Sequence, residues 1–392
     1  MKVAFSTSFQ SVKAPGTVTF GAPLLDPSGA RVVLGGDGDA LATPIIPSAG
    51  SLFGPRGVCL HPGGSFWVAD TGHHRVLGWA SVPDRDGAPA DTLVGQPDFG
   101  REGRNAKGTP SATSLNVPTG LTGFRGGLAV ADAWNHRVLI WHRLPDGPDQ
   151  PADIVLGQSD FGSVLANHGS DRPGAATLHW PYGIAEIDGR LVVCDTGNRR
   201  VLIWDDPRVT GQPADLVLGQ TGFDCRDENG GGAVAAHSMR WPHGIASWQG
   251  GICVSDAGNN RIMVWRGFPD RNGAEADLVL GQHDMTLCDH NMGRYYPSDQ
   301  ALNMPCALAV ADKRLLVGDT ANSRLIGFER AELAGRAEWL TGQPDFAAKG
   351  DNRWGIAQRD SLCWPYGLSV SGRTVAVADS GNNRVLLWDL AS

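Results

Sequence analysis

One pattern occurs six times along this chain and constrains its fold more than any other feature: an alternating apolar run, an aspartate, a polar turn, an arginine and a second apolar run. It reads FWVADTGHHRVLGW from Phe66, LAVADAWNHRVLIW from Leu128, LVVCDTGNRRVLIW from Leu191, ICVSDAGNNRIMVW from Ile252, LLVGDTANSRLIGF from Leu315 and VAVADSGNNRVLLW from Val375. The aspartates are Asp70, Asp132, Asp195, Asp256, Asp319 and Asp379, at intervals of 62, 63, 61, 63 and 60 residues. A period of this length marks an array of one supersecondary unit, stacked so that neighbours bury each other's apolar faces.

Each unit holds more than the marker segment. An L-x-x-P-x-G element precedes it (LFGPRG, LNVPTG, LHWPYG, MRWPHG, LNMPCA, LCWPYG), and an alternating run ending in Gly-Gln follows it in five units, as in DLVLGQ. This reads as four short strands: one after P-x-G, one ending at the Asp, one beginning at the Arg and one ending near Gly-Gln. The 53 Gly and 25 Pro residues are spread between these runs, as turns would be. The expected fold is all-β: a six-bladed β-propeller of four-stranded antiparallel blades. The whole chain, 1–392, forms one such unit, with blades near 52–98, 115–160, 178–222, 239–284, 302–345 and 362–392. The last blade lacks a fourth strand of its own, and residues 30–36, ARVVLGG, match that strand with no blade before them. They are expected to complete the last blade and close the ring, leaving no free sheet edge. The earlier runs VAFSTSF and TVTF are candidates for a further strand.

The six segments, which read D-[STA]-x-N-x-R-[VIL] with His73 in the Asn position of the first, resemble the NHL repeat, and the likeness covers almost the whole chain. It implies a six-bladed propeller. The repeat occurs in RNA-binding and protein-binding domains, in bacterial sensor domains and in a zinc-dependent amidating lyase, so it does not select a function.

A constellation present in all six blades is a blade-building device, not a catalytic one. The Asp accepts backbone N–H bonds, the Gly-Asn pair supplies the positive φ of the turn, and the Arg holds the carboxylate bidentately. Blade five carries Ala where most blades have Gly, and its turn is expected to differ. The Trp closing each third strand, replaced by Phe328 in blade five, fills the core, and Gln96, Gln158, Gln220, Gln282 and Gln343 satisfy buried backbone groups.

Function is sought where the symmetry breaks. The units exceed a 40–45-residue propeller repeat by about 18 residues, and the surplus lies in the connections from Gly-Gln to the next P-x-G. These connections crowd one face around the channel. The residue after Pro starts the innermost strand and reads Arg56, Thr119, Tyr182, His243, Cys306 and Tyr366. With Trp180, Trp241 and Trp364 beside them, these are the candidate ligand-binding residues. His243, Cys306 and His179 are the candidate metal ligands, suited to a divalent transition metal such as Zn or Cu. No residue is assigned a catalytic role.

The net charge of -8, and a net charge of about -3 over the long loops with Asp37 and Asp39 included, disfavour nucleic acid as a partner. No apolar stretch is long enough to span a bilayer, the N-terminal residues have no signal-peptide pattern, and seven Cys without a CxxC suit a reducing cytoplasm. The expected function is a ligand- or protein-binding scaffold using the long-loop face around the channel. The alternative is a metal-dependent lyase or hydrolase at the channel mouth.

Overall fold

The computed structural model of the protein describes residues 18–35 and 46–392. Six sheets stand in a ring; in blades one to four the antiparallel strands run in chain order from the channel outward, and blades five and six keep this order apart from a strand that each gains from the N-terminal segment. In blade one these are Gly57–Leu60, Phe66–Asp70, Arg75–Trp79 and Thr92–Val94. Inner strands of successive blades lie side by side, and Pro365–Ser371 of blade six packs against Gly57–Leu60 of blade one.

The second and third strands are apolar at almost every position because both faces of each sheet are covered by a neighbour. Six apolar clusters result, one for each pair of adjacent blades. Trp141, Trp204, Trp388 and Phe328 are fully buried in them. Four third-strand tryptophans also donate Nε1–H to a carbonyl of their own blade's outer hairpin, as Trp204 does to Gln212. The core therefore lies between blades and not at the centre of the ring.

Closure occurs as the sequence implies. Val32–Leu34 pairs antiparallel with Arg384–Asp389 as the outer strand of blade six. Trp388 Nε1 donates to the Asp26 carbonyl, 2.7 Å away, so this indole is held by the N-terminal segment. A further strand is present, but not in either expected run. It is Ala22–Pro23, which pairs parallel with Trp339–Thr341 as a fifth strand on blade five. Residues 18–20 form no strand, and VAFSTSF, Asp37, Asp39 and Gly36 lie outside the described residues. The N-terminal segment thus ties blade five to blade six.

Each marker Asp is buried and bound from three sides. In blade three, Asp195 Oδ1 accepts the His179 backbone N–H at 2.7 Å, and Oδ2 accepts Asn198 Nδ2 and Arg200 Nε at 2.7 Å each. The pairing is not bidentate. Arg200 spends its other donors on carbonyls of the long connections: Nη1 on Phe223, Nη2 on Gly174 and Thr177. The loops need those donors because their buried carbonyls have no strand partner. The turn also departs from expectation. Its left-handed residue is the one just before the Arg: His74, His136, Arg199, Asn260, Ser323 and Asn383, with φ between 51° and 57°. Blade five, with Ala321, makes the same turn as the others.

The long connections are equally well held. Gln158 Nε2 donates to the carbonyls of Asn135, His136 and Leu165, and the other four glutamines act alike. A loop asparagine in each of five connections pairs with the turn asparagine of the next blade: Asn135 Nδ2 donates to Asn105 Oδ1 at 2.7 Å, and Asn198 to Asn167 at 2.8 Å. Asn259–Asn229, Asn322–Asn291 and Asn382–Asn352 repeat this contact.

Candidate functional site

The turns after the second strands and the long connections lie on one face, and the inner strands begin there. All six residues that follow the proline, Arg56, Thr119, Tyr182, His243, Cys306 and Tyr366, line one central cavity. Its volume is about 80 Å³, room for a few water-sized groups and far below the 300–1,000 Å³ typical of organic-ligand pockets. The P-x-G glycine explains the narrowness. A Cβ on Gly183 would meet the His243 carbonyl, and one on Gly57 the Thr119 carbonyl, so adjacent inner strands approach as closely as backbones allow.

The six residues differ in what they can do. Thr119 is buried and donates from Oγ1 to the Pro181 and Tyr182 carbonyls at 3.1 Å, so it seals the seam between blades two and three. Cys306 is 3% exposed, its Sγ 3.4 Å from the Met304 carbonyl, and burial pushes its thiol up to about 12. It is a thiol, not a thiolate, at neutral pH. His243 Nδ1 lies 2.9 Å from the Trp241 carbonyl and acts as donor to it. Burial pulls the His243 pKa down to about 4, with the Arg56 charge adding to the effect, so the ring is neutral.

The remaining three form one array with His243. The Arg56 guanidinium carbon lies 4.4 Å from the Tyr366 ring centre and 5.4 Å from that of Tyr182. Tyr182 in turn lies 4.4 Å from the His243 ring. Tyr366 lies 6.3 Å from Trp364 at the rim. Burial raises the Tyr366 pKa, so its phenol stays protonated.

The rim tryptophans precede the prolines. Trp180, Trp241 and Trp364 are 48%, 41% and 41% exposed. Their backbone N–H groups, and those of the equivalent residues, reach back to the preceding blade's left-handed turn residue. Gly54 N bonds Asn383 Oδ1, Val117 N bonds His74 Nδ1, Trp180 N bonds His136 Nδ1 and Met304 N bonds Asn260 Oδ1. Blade three offers Arg199, which has no acceptor, and Trp241 N turns instead to Asp256 Oδ1 at 3.3 Å. Trp241 is also the one residue of the six whose φ is not positive.

His179 does not join His243 and Cys306. Its ring packs 5.2 Å from His136 and 4.9 Å from Trp180, outside the channel lining. The three candidate metal ligands are therefore not gathered, and no group of three or more His, Cys, Asp or Glu side chains suited to a metal ion occurs among the described residues. No helix among the described residues is long and apolar enough to cross a membrane.

Sequence reasoning missed a second cavity, of about 380 Å³, between the connections that precede blades five and six. Tyr295, Tyr296, Lys349, Arg353 and Trp354 line it. The Lys349 ammonium lies 3.7 Å from the Tyr295 ring centre and donates to the Tyr295 carbonyl at 2.7 Å. Arg353 forks onto Asp360. The available signal was the rarity of tyrosine. The chain has four, Tyr182, Tyr295, Tyr296 and Tyr366, and all four line one or other cavity.

The family model for the NHL repeat matches residues 54–79 and 239–265, in blades one and four. No curated protein matches the chain. Among solved structures, a protein of unknown function from Bacteroides thetaiotaomicron is 11% identical, covers 93% of this chain and 75% of its own, and has a TM-score of 0.53. A putative gluconolactonase is 14% identical, with 95% and 98% covered and a TM-score of 0.50. Virginiamycin B lyase from Staphylococcus aureus is 13% identical, with 86% and 96% covered and a TM-score of 0.43. At these identities the likeness extends to the fold alone. The six in-phase repeats, the ring of four-stranded blades and the two family matches agree: this chain is a six-bladed β-propeller built from NHL repeats.

Proposed function

We propose that the propeller is a binding scaffold that holds a protein partner or small ligand on its long-loop face, around the mouth of the channel. One observation carries this reading. All five exposed tryptophans among the described residues, Trp134, Trp180, Trp241, Trp354 and Trp364, lie on that face, as do all four tyrosines. Aromatic side chains with an apolar body and a polar tip are the usual anchors of recognition surfaces. The loops that carry them are fixed by the Arg, Gln and Asn contacts, so little order remains to be imposed on binding. The channel itself admits only a group of a few atoms, such as one end of a ligand, and the cavity between the connections before blades five and six is the better seat for a larger molecule.

The alternative, a metal-dependent lyase or hydrolase, has less support. His179 stands apart from His243 and Cys306, and burial opposes the deprotonation that a Cys306 ligand requires. The test compares wild type with the Trp180→Ala/Trp241→Ala/Trp364→Ala variant for partner capture, with Arg125→Ala as a control distant from the rim. Capture should be lost in the rim variant alone. Retention by the rim variant, or one equivalent of zinc or copper that is lost in His243→Ala, would turn the reading toward the alternative.

A further inference from the structure

We propose that Arg56 forms a carboxylate-binding site in the central channel. Arg56 is the single charged side chain of the cavity lining. The six repeat arginines each face a buried aspartate, but no carboxylate among the described residues lies within ion-pairing distance of Arg56. What surrounds it is neutral: Tyr366 and Tyr182 beside the guanidinium, then His243 and Cys306, with Val58, Leu121, Ile184 and other apolar side chains deeper. A half-buried cation without a counter-ion is costly, and two aromatic rings offset only part of that cost. The Arg56 side chain lines a space of about 80 Å³.

The chemistry selects the anion. A guanidinium presents donors in a planar fork that matches a carboxylate edge to edge. One positive charge neutralises one negative charge. A phosphate dianion would leave a net charge in a channel with apolar walls and no second cation. The Tyr366 ring lies against the guanidinium, its centre 4.4 Å from the guanidinium carbon. Tyr182 and Tyr366 come from blades three and six, on opposite sides of the ring, so the cation is flanked from across the channel. Thr119, the small side chain of blade two, leaves the space through which Arg56 and Tyr182 meet.

The inference rests on the channel mouth being the binding surface, and the experiment separates the two. Purified full-length protein is titrated at pH 7.5 and constant ionic strength with acetate, propionate, inorganic phosphate and chloride. Thermal melts and the imidazole NMR signal of His243 are followed. Acetate and propionate should raise Tm with saturation, and the His243 pKa should climb from about 4 as the Arg56 charge is neutralised. Arg56→Gln should abolish both responses. Arg56→Lys should weaken binding about tenfold or more, because a point charge replaces the fork. A short peptide with a free C-terminus, set against its amide, separates the two sources of a carboxylate. Tighter binding of the free-ended peptide than of acetate assigns the site to a chain end, and equal binding assigns it to a small acid. Equal responses to acetate, phosphate and chloride, or an undiminished response in Arg56→Gln, would overturn the proposal. If Arg56→Gln fails to fold, Arg56→Lys and Tyr366→Phe decide, since both keep the channel filled. Loss of the acetate response with rim-dependent partner capture intact sinks the carboxylate site alone. The reverse result sinks the partner surface and leaves the site.

Discussion

Trp180 at the rim of blade three hangs its backbone N–H on Nδ1 of His136, 3.1 Å away in the turn of blade two. The bond requires an unprotonated Nδ1. Burial first, and then the nearby His179, pull the His136 pKa down to about 4. In the unfolded chain a histidine titrates near 6.5. Between these values the unfolded state binds more protons, so stability is present above about pH 6.5 and is lost as pH falls toward 4. His136→Asn keeps an acceptor, and Asn260 and Asn383 already do this work in blades four and six. The variant should match wild type within about 0.5 kcal/mol at pH 7.5 and show a shallower fall in Tm from pH 6.5 to 4.5. His243, also at about 4, leaves a residual slope. Identical pH profiles for the two proteins would remove His136 from this role.

Arg199 occupies the same turn position in blade three and cannot accept a hydrogen bond. Its Nε is buried without a partner, and Trp241 N makes a longer bond to Asp256 instead. Arg199→Asn should restore the contact and suits the left-handed conformation at φ 56°. The expected gain is about 0.5–1 kcal/mol by urea unfolding. A loss of stability would show that the Arg199 bonds to the Gly197 and Arg226 carbonyls outweigh the missing one.

Arg200 ties Asp195 to three loop carbonyls in one buried site. Arg200→Met leaves the carboxylate without its cation and the carbonyls without donors. Destabilisation of about 3–5 kcal/mol is expected, with early proteolysis in 165–177, the connection that Arg200 and Gln158 hold. A cost under 1 kcal/mol in denaturant titration would contradict a clamp of this kind.

Removing residues 1–35 takes away the outer strand of blade six and uncovers the edge of Arg384–Asp389. It also removes Leu24, Leu25, Val32, Val33 and Leu34, all at most 1% exposed, each worth roughly 1.5–3 kcal/mol when buried. The truncated protein should melt well below wild type and associate in a concentration-dependent way, since an open edge pairs with other edges. Light scattering and melting curves check this; a monomer with the wild-type Tm speaks against closure as the source of stability.

Cys306 should resist thiol reagents in the folded state, because it is buried and its thiol is held at about 12. Cys225 and Cys288 on the loops are more accessible and should react first. Mass mapping after brief alkylation at pH 8 reads the order directly, and rapid labelling of Cys306 would contradict its burial.

Much of this was legible because the marker spacing and strand alternation are local signals. They carried the six blades, the structural role of the Asp and Arg, and the N-terminal closing strand. The same locality misled at the turn. The Asp-to-Arg spacing invites a fork on the carboxylate, but the carbonyls that claim the other guanidinium donors arrive from a connection 23 to 26 residues away. Asn105, Asn167, Asn229, Asn291 and Asn352 recur with nearly the same period and could have been noticed. Their partners could not, because each lies in the turn of the following blade.

The sequence by itself determined the unit, its number and the face that carries its long connections, because strand and turn preferences act over a few residues and repeat with the chain. Only the tertiary structure decided what the six rim residues become. Ring closure brings Arg56 of blade one between Tyr366 and Tyr182, turns Thr119 and Cys306 into sealed packing, and leaves His179 outside the channel. Those outcomes depend on how closely six inner strands, five of them bearing the P-x-G glycine, approach a common axis, a distance that no single repeat contains.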